Sequence, residues 1–310
     1  MNMASARVVA FIPVLSLLAA HPVLAQRPPV VRDVRVALNA HNFAAAEQAV
    51  ERYKQSKGVD SAYLEALSWL GRAKLAARDY DAADRYAAQT RKLALDLLKT
   101  RKLDADASLP LALGASIEVQ SQVLNARGQK SEAVAFLQQE IRSYGDTSIA
   151  ARLNKNLNQI TLVGQRPLPI EMKEWIGLKP PALASLQGRK VLLFFWAHWC
   201  GDCKQQAPVL AQLKREFGDK LTILAPTQPY GYVAGGEDAP RADEIKYIDE
   251  VRREFYSGLD GMTVPVSELN FKRWGVSTTP TLAVLDAKGI VRLYHPGKMT
   301  YAELLPYVRD

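Results

Sequence analysis

The chain has only two cysteines, Cys200 and Cys203, in the stretch Ala197-His198-Trp199-Cys200-Gly201-Asp202-Cys203-Lys204. The run before them, Lys190 to Trp196, is compact and apolar and reads as a strand buried on both faces. An amphipathic pattern follows to Phe217, with Ala207, Leu210, Leu213 and Phe217 on its apolar side. Cys200 is therefore predicted at a strand-to-helix junction, where unpaired backbone N–H groups and the positive end of the helix dipole stabilise a thiolate. The thiolate is the attacking species in disulfide exchange. Cys203, one helical turn on, is placed to reach back and resolve a mixed disulfide, and Gly201 keeps the approach open. We assign Cys200 as the nucleophile and Cys203 as the resolving thiol.

Their neighbours modulate that chemistry. Trp199 is expected to shield the thiols and line a docking surface, while Trp196 belongs to the core. Lys204 favours a thiolate by charge. Asp202 opposes thiolate formation at both sulfurs, which makes the disulfide relatively favourable and the dithiol a better reductant. Two thiols cannot complete a four-cysteine zinc site, and His21, His41, His198 and His295 show no ligand spacing. No metal and no cofactor beyond the redox disulfide is expected. There is no Thr-x-x-Cys peroxidatic arrangement and no Cys-x-x-x-Cys copper spacing. The formal net charge is +8, from 40 Lys and Arg against 32 Asp and Glu. The basic residues are spread along amphipathic helices without aromatic interleaving, so no nucleic-acid partner is expected.

At 310 residues the chain accommodates two domains behind a leader. Arg7, the apolar run Val8 to Ala20, the break at His21-Pro22 and the small residue Ala25 read as an export signal over residues 1–25. The run is shorter than the about 20 residues a membrane span needs. Cleavage after Ala25 is expected to leave a mature chain that does not span the membrane, in the periplasm or outside the cell. From Val31 to about Thr161 apolar residues recur at helical spacing. Three turns each precede a small residue: Asn42-Phe43 before Ala46, Asp79-Tyr80 before Ala83, and Gly128-Gln129-Lys130 before Ala133. We read three helix pairs in an all-α domain over residues 26–163. It offers either a concave surface for a partner protein or a purely structural packing unit. Residues 164–170, with Pro167 and Pro169, form a linker. Further strands are predicted at Leu221 to Ala225, Thr281 to Leu285 and Ile290 to Tyr294, with helices from Arg241 to about Ser257 and from Ala302 to Val308. The Pro229 to Pro240 loop either shapes a substrate groove or is solvated surface.

The helical half resembles tetratricopeptide repeats, with uneven spacing between copies. Residues 171–310 resemble the thioredoxin superfamily. The stretch Phe195 to Lys204, Pro208 after the second cysteine, and Trp274 to Thr281 with Thr279-Pro280 are similar to its exported TlpA-like branch, as is the lead from Gly177 to Val191. The resemblance implies an α/β domain with a central mixed sheet flanked by helices, preceded by the all-α domain. It implies that Pro208 kinks the active-site helix, and that Thr279 and a cis Pro280 face the cysteines and bind an extended substrate segment. Where thioredoxins carry a buried aspartate beneath the second cysteine this chain has Phe194, so the proton acceptor is open, with Glu216 and Glu254 as candidates. The implied function is a periplasmic thiol–disulfide oxidoreductase that takes electrons from a membrane donor of the thiol-transfer type and reduces protein disulfides. A disulfide isomerase or oxidase on the same site, or a repeat-based protein-binding adaptor with secondary redox activity, are the alternatives.

Overall fold

Capping side chains and buried alanines divide the first half of the chain into helices. The computed structural model describes residues 28–259 and 261–309, so the predicted export signal lies outside the described residues. Seven helices come first: α1 (Pro29–Asn39), α2 (Phe43–Lys57), α3 (Ser61–Ala76), α4 (Tyr80–Leu98), α5 (Ser108–Ala126), α6 (Lys130–Tyr144) and α7 (Ala150–Thr161). The Asn42, Asp60 and Asp79 carboxyl or amide oxygens accept backbone N–H bonds at the starts of α2, α3 and α4. Ala46, Ala83 and Ala133 are fully buried, as expected of small residues that let helix backbones approach. Gly71 serves the same end: a Cβ there would lie 3.4 Å from Tyr86 Cβ. α5 is the centre of the array, with Leu109, Leu113, Ile117, Val119 and Val123 all buried. The three expected helix pairs are present, and α7 is an additional helix with a separate role.

The second half is an α/β unit. Its elements are β1 (Trp175–Ile176), β2 (Lys190–Phe195), α8 (Gly201–Phe217), β3 (Leu221–Leu224), α9 (Arg241–Phe255), β4 (Val264–Pro265), α10 (Glu268–Trp274), β5 (Thr281–Leu285), β6 (Val291–Pro296) and α11 (Tyr301–Arg309). The main sheet has the order β3-β2-β5-β6, with β2 and β3 parallel and the other pairs antiparallel. Side chains alternate across a strand, and β2 buries both sets. Leu192 and Phe194 enter one core with Leu210, Leu213, Ile248 and Leu304. Val191, Leu193 and Phe195 enter another with Phe271, Trp274 and Leu162. Helices therefore cover both faces of the sheet. The expected linker joins that sheet at once, since Gly164 N–H donates to Val291 O and Val291 N–H donates to Gln165 O.

α7 binds the two halves together through the C-terminal turn of α10. Helix ends leave carbonyls without intrahelical partners. Here Asn154 Nδ2 donates to Lys272 O at 3.0 Å, Asn158 Nδ2 to Arg273 O at 3.4 Å, and Tyr294 Oη to Trp274 O at 2.6 Å. Gly275 then turns left-handed at φ +68°, and a Cβ there would lie 2.1 Å from Lys155 N. Only glycine satisfies both conditions. Gly275→Ala is expected to cost roughly 2–5 kcal/mol in urea unfolding, from backbone strain plus overpacking. Gly289→Ala is the control: its φ is +75° but its Cβ meets nothing within 4 Å, so it is expected to cost only the strain part, about 1 kcal/mol.

Candidate active site

The sheet register carries the cysteines to the substrate-loop end. Phe195 pairs with Thr281, so the residues after β2 and those before β5 emerge side by side. Cys200 sits as the N-cap of α8, where Cys203 N–H donates to Cys200 Sγ at 3.1 Å. The two are joined in a disulfide with Cα atoms 5.2 Å apart. Cys200 is 3% exposed and Cys203 fully buried. Gly201 opens α8 with no atom within 4 Å of its Cβ position, and Pro208 interrupts the hydrogen-bond ladder of the same helix. The Thr279–Pro280 peptide is cis, Pro280 is buried and Ser277 and Thr278 are exposed. Thr279 Oγ1 is buried without a partner.

A second loop, after β6, closes the other side. Gly297 N–H donates to Pro280 O at 2.7 Å. Gln206 grips the next residues with both ends of its amide: Nε2 donates to Met299 O at 3.0 Å, and Met299 N–H donates to Oε1 at 2.8 Å. This places Lys298 Nζ 3.0 Å from Asp202 Oδ1 and 2.6 Å from Gln205 Oε1. The charge of Asp202, expected to oppose the thiolate at both sulfurs, has a cation beside it. Lys204 in turn lies 3.9 Å above the Phe255 ring, so its charge is shared with an aromatic face rather than aimed at the thiols alone. Sequence reasoning missed Gln206 and Lys298, because their partners are 93 or more residues away along the chain.

Behind the cysteines lies a buried polar pair. His198 is 1% exposed and Glu244, from the first turn of α9, is fully buried. Glu244 accepts backbone N–H bonds from Tyr230 and from Gly231, the latter at 2.8 Å, and faces His198 Nε2 at 3.1 Å. An acceptor so placed calls for the tautomer with Nε2–H as donor. Tyr230, Tyr232 and Tyr247 surround the imidazole edge-on at 5.3–5.6 Å. Trp199, half exposed, packs on Tyr230 at 5.5 Å. The Pro229 to Pro240 loop thus roofs the site. Phe194 is buried beneath, against Tyr256. Glu216 and Glu254 are both exposed. Glu216 lies thirteen residues along α8 from Cys203, about 20 Å away, where it accepts a bond from Tyr301. The buried carboxylate of this site is Glu244. In the sequence it looks like ordinary acidic decoration of a helix start, and only the fold turns it inward. Among the described residues no group of three or more His, Cys, Asp or Glu could hold a metal ion.

A family model described as a thioredoxin-like domain matches residues 181–310. The thioredoxin-like protein YneN of Bacillus subtilis is 30% identical over 141 residues, which are 46% of this chain and 75% of that protein. The chain belongs to the thioredoxin-like family. With its Cys200–Cys203 couple, this thioredoxin-like chain is a thiol–disulfide oxidoreductase. It is also 26% identical to the thiol:disulfide interchange protein DsbE of Xylella fastidiosa over 130 residues, 41% of this chain and 58% of that protein. Among solved structures, the exposed lipoprotein thioredoxin Etrx1 of Streptococcus pneumoniae is 30% identical, with a TM-score of 0.32, over 41% of this chain and 88% of that one. The family-model match leaves the helical half outside it.

Two predictions follow from this thioredoxin-like site. Burial pushes the His198 imidazole below its ordinary value of 6.5, against the upward pull of Glu244. The unfolded chain then binds more protons than the folded one as pH falls below about 6.5, and stability drops. The thermal midpoint should fall from pH 7.5 to pH 5.5, both round-number test points about one unit either side of that value, and His198→Asn should flatten that part of the profile. Asp202→Asn should raise the reduction potential of the couple and Lys298→Ala should lower it, each by on the order of 10 mV, as suits an exposed ion pair. A glutathione redox titration reads both.

Proposed function

We propose that this protein is an exported, periplasmic protein-disulfide reductase. The observation that carries the reading is a fully buried Cys203 behind Cys200, which keeps 3% exposure as the N-cap of α8. Asp202 between them opposes the thiolate form and so favours the dithiol as an electron donor. The Cys200 thiolate attacks a substrate disulfide, forming a mixed disulfide and expelling one substrate thiolate. Cys203, as thiolate, then attacks Cys200 Sγ and releases the second substrate sulfur. Two electrons pass to the substrate, which gains two protons as its thiols form, and the Cys200–Cys203 disulfide seen here is the product. A membrane donor of the thiol-transfer type returns the couple to the dithiol.

Support for an exported location comes from the leader pattern of residues 1–25 and from the similarity to a thiol:disulfide interchange protein. Among the described residues no helix is long and apolar enough to cross a membrane. Disulfides formed between apocytochrome c thiols are one substrate class the resemblance implies. The Lys298–Asp202 ion pair favours a second reading, a disulfide isomerase, because it offsets part of the charge that makes the couple reducing.

The reduction potential decides between them. A reductase should titrate near thioredoxin's value of about −270 mV, an isomerase near about −180 mV and an oxidase near about −120 mV. Cys203→Ser should accumulate a mixed disulfide with substrate through Cys200, resolved by gel under non-reducing conditions, whereas Cys200→Ser should trap none. Trapping by the second variant alone would reverse the assignment of the two thiols.

A further inference from the structure

Two acids open α9, and the fold treats them differently. Asp243 stays exposed with Lys246, whereas Glu244 is fully buried. The positive end of a helix dipole suits a carboxylate in that first turn. Oε1 of Glu244 accepts from Tyr230 N–H and faces His198 Nε2 at 3.1 Å, and Oε2 accepts from Gly231 N–H at 2.8 Å. Gly231, at φ +87°, lets two successive N–H groups converge on one carboxylate. A carboxylate is acceptor-only and meets three donors at once, which a carboxamide of the same length cannot do. A buried group so fully engaged holds two segments of chain together.

Those two segments meet at Trp199. His198 is its neighbour in the chain and precedes Cys200 by two residues. Tyr230, from the other segment, packs edge-on against the His198 ring at 5.6 Å and the Trp199 ring at 5.5 Å. One carboxylate therefore fixes both the residue before Trp199 and the ring beside it. Cys200 keeps 3% exposure, so a disulfide that reaches its sulfur also meets the half-exposed indole next to it. The polar pair beneath stays out of reach, with His198 at 1% exposure.

The geometry points to Glu244 as a positioning residue for the reaction at Cys200. It fixes the Trp199 indole, against which the substrate segment seats, through His198 on one side and Tyr230 on the other. Its part is to orient a binding surface, so its loss weakens substrate engagement more than the exchange step. The inference rests on the thiol–disulfide oxidoreductase activity and holds for either direction of electron flow.

The test compares Glu244→Gln with the unaltered chain. Gln keeps the length and shape but sets an N–H group against one of the three donors. With fluorotryptophan incorporated, the five tryptophans give separate fluorine NMR lines, and Trp199→Phe identifies that of residue 199. Glu244→Gln should shift that line. It should also raise KM for a self-quenched peptide disulfide, with dithiothreitol as reductant, by about three- to tenfold, the worth of one hydrogen bond. Its kcat should change by less than about twofold. Tyr230→Leu leaves the carboxylate in place and removes the ring between it and Trp199. It should act in the same direction, and the double variant should cost less than the product of the two. Glu250→Gln, which removes an exposed carboxylate from the same helix, should alter neither the line nor KM. A Trp199 line or a KM that does not move, a fall in kcat at constant KM, or fully multiplicative effects each overturn the inference. If Glu244→Gln does not fold, Tyr230→Leu decides by the same two readings. Absence of peptide-disulfide turnover in the unaltered chain removes the reductase reading, while the Trp199 line still decides whether Glu244 positions the indole.

Discussion

The last turn of α10 is the joint on which the molecule is built. Its three final carbonyls point out of the helix and need donors. Two come from α7 of the helical half and one from β6 of the sheet. Gly275 then reverses the chain so close to α7 that no side chain fits. The five residues that follow lead to Pro280 and the redox site. The position of the helical array relative to the cysteines is therefore set by backbone contact and hydrogen bonds, not by a tether of variable length. A linker free in solution would leave the helical half and the thiols to meet by chance. Here the chain enters the sheet edge at Gly164 as soon as α7 ends.

Within the α/β half, one strand organises the chemistry. β2 is buried on both faces, so its end is fixed in three directions, and Cys200 inherits that precision five residues later. The polar groups around it work against each other in pairs. Asp202 disfavours a thiolate and Lys298 offsets it. Burial disfavours a charged His198 and Glu244 favours one. The first pair is half exposed and screened by water, while the second is buried, with Glu244 also holding the backbone of Tyr230 and Gly231. The tyrosines of the Pro229 to Pro240 loop complete the enclosure by covering His198 and supporting Trp199.

The helical half gains meaning from the same arrangement. By itself it is a stack of antiparallel helices with a concave side, an architecture compatible with many partners or with none. That side runs into Ser277 and Thr278, the residues that lead to Thr279–Pro280. The groove that Arg35, Trp69 and Arg72 line therefore spans two architectural units.

Local patterns in the sequence were enough for the parts that depend on local forces. The two-faced apolar run of β2, the start of α8 at the cysteines, the hairpin of β5 and β6, and the turns at Asn42-Phe43 and Asp79-Tyr80 all follow from periodicity and backbone chemistry within a few residues. The reading of Cys200 and Cys203 as a redox couple needed no more than that. What only the tertiary structure decided are pairings across long stretches of chain. Asp202 has Lys298 as its neighbour, 96 residues on, and His198 has Glu244, 46 residues on. Glu216 and Glu254 stand on the same helices as groups that do reach the core, yet face solvent. A helix start rich in acid looks the same in sequence whether its carboxylates meet water or a buried imidazole, because the side it turns inward is chosen by packing. The seat of α7 on Gly275 is likewise invisible in advance, since it requires two backbones 120 positions apart to arrive at the same place.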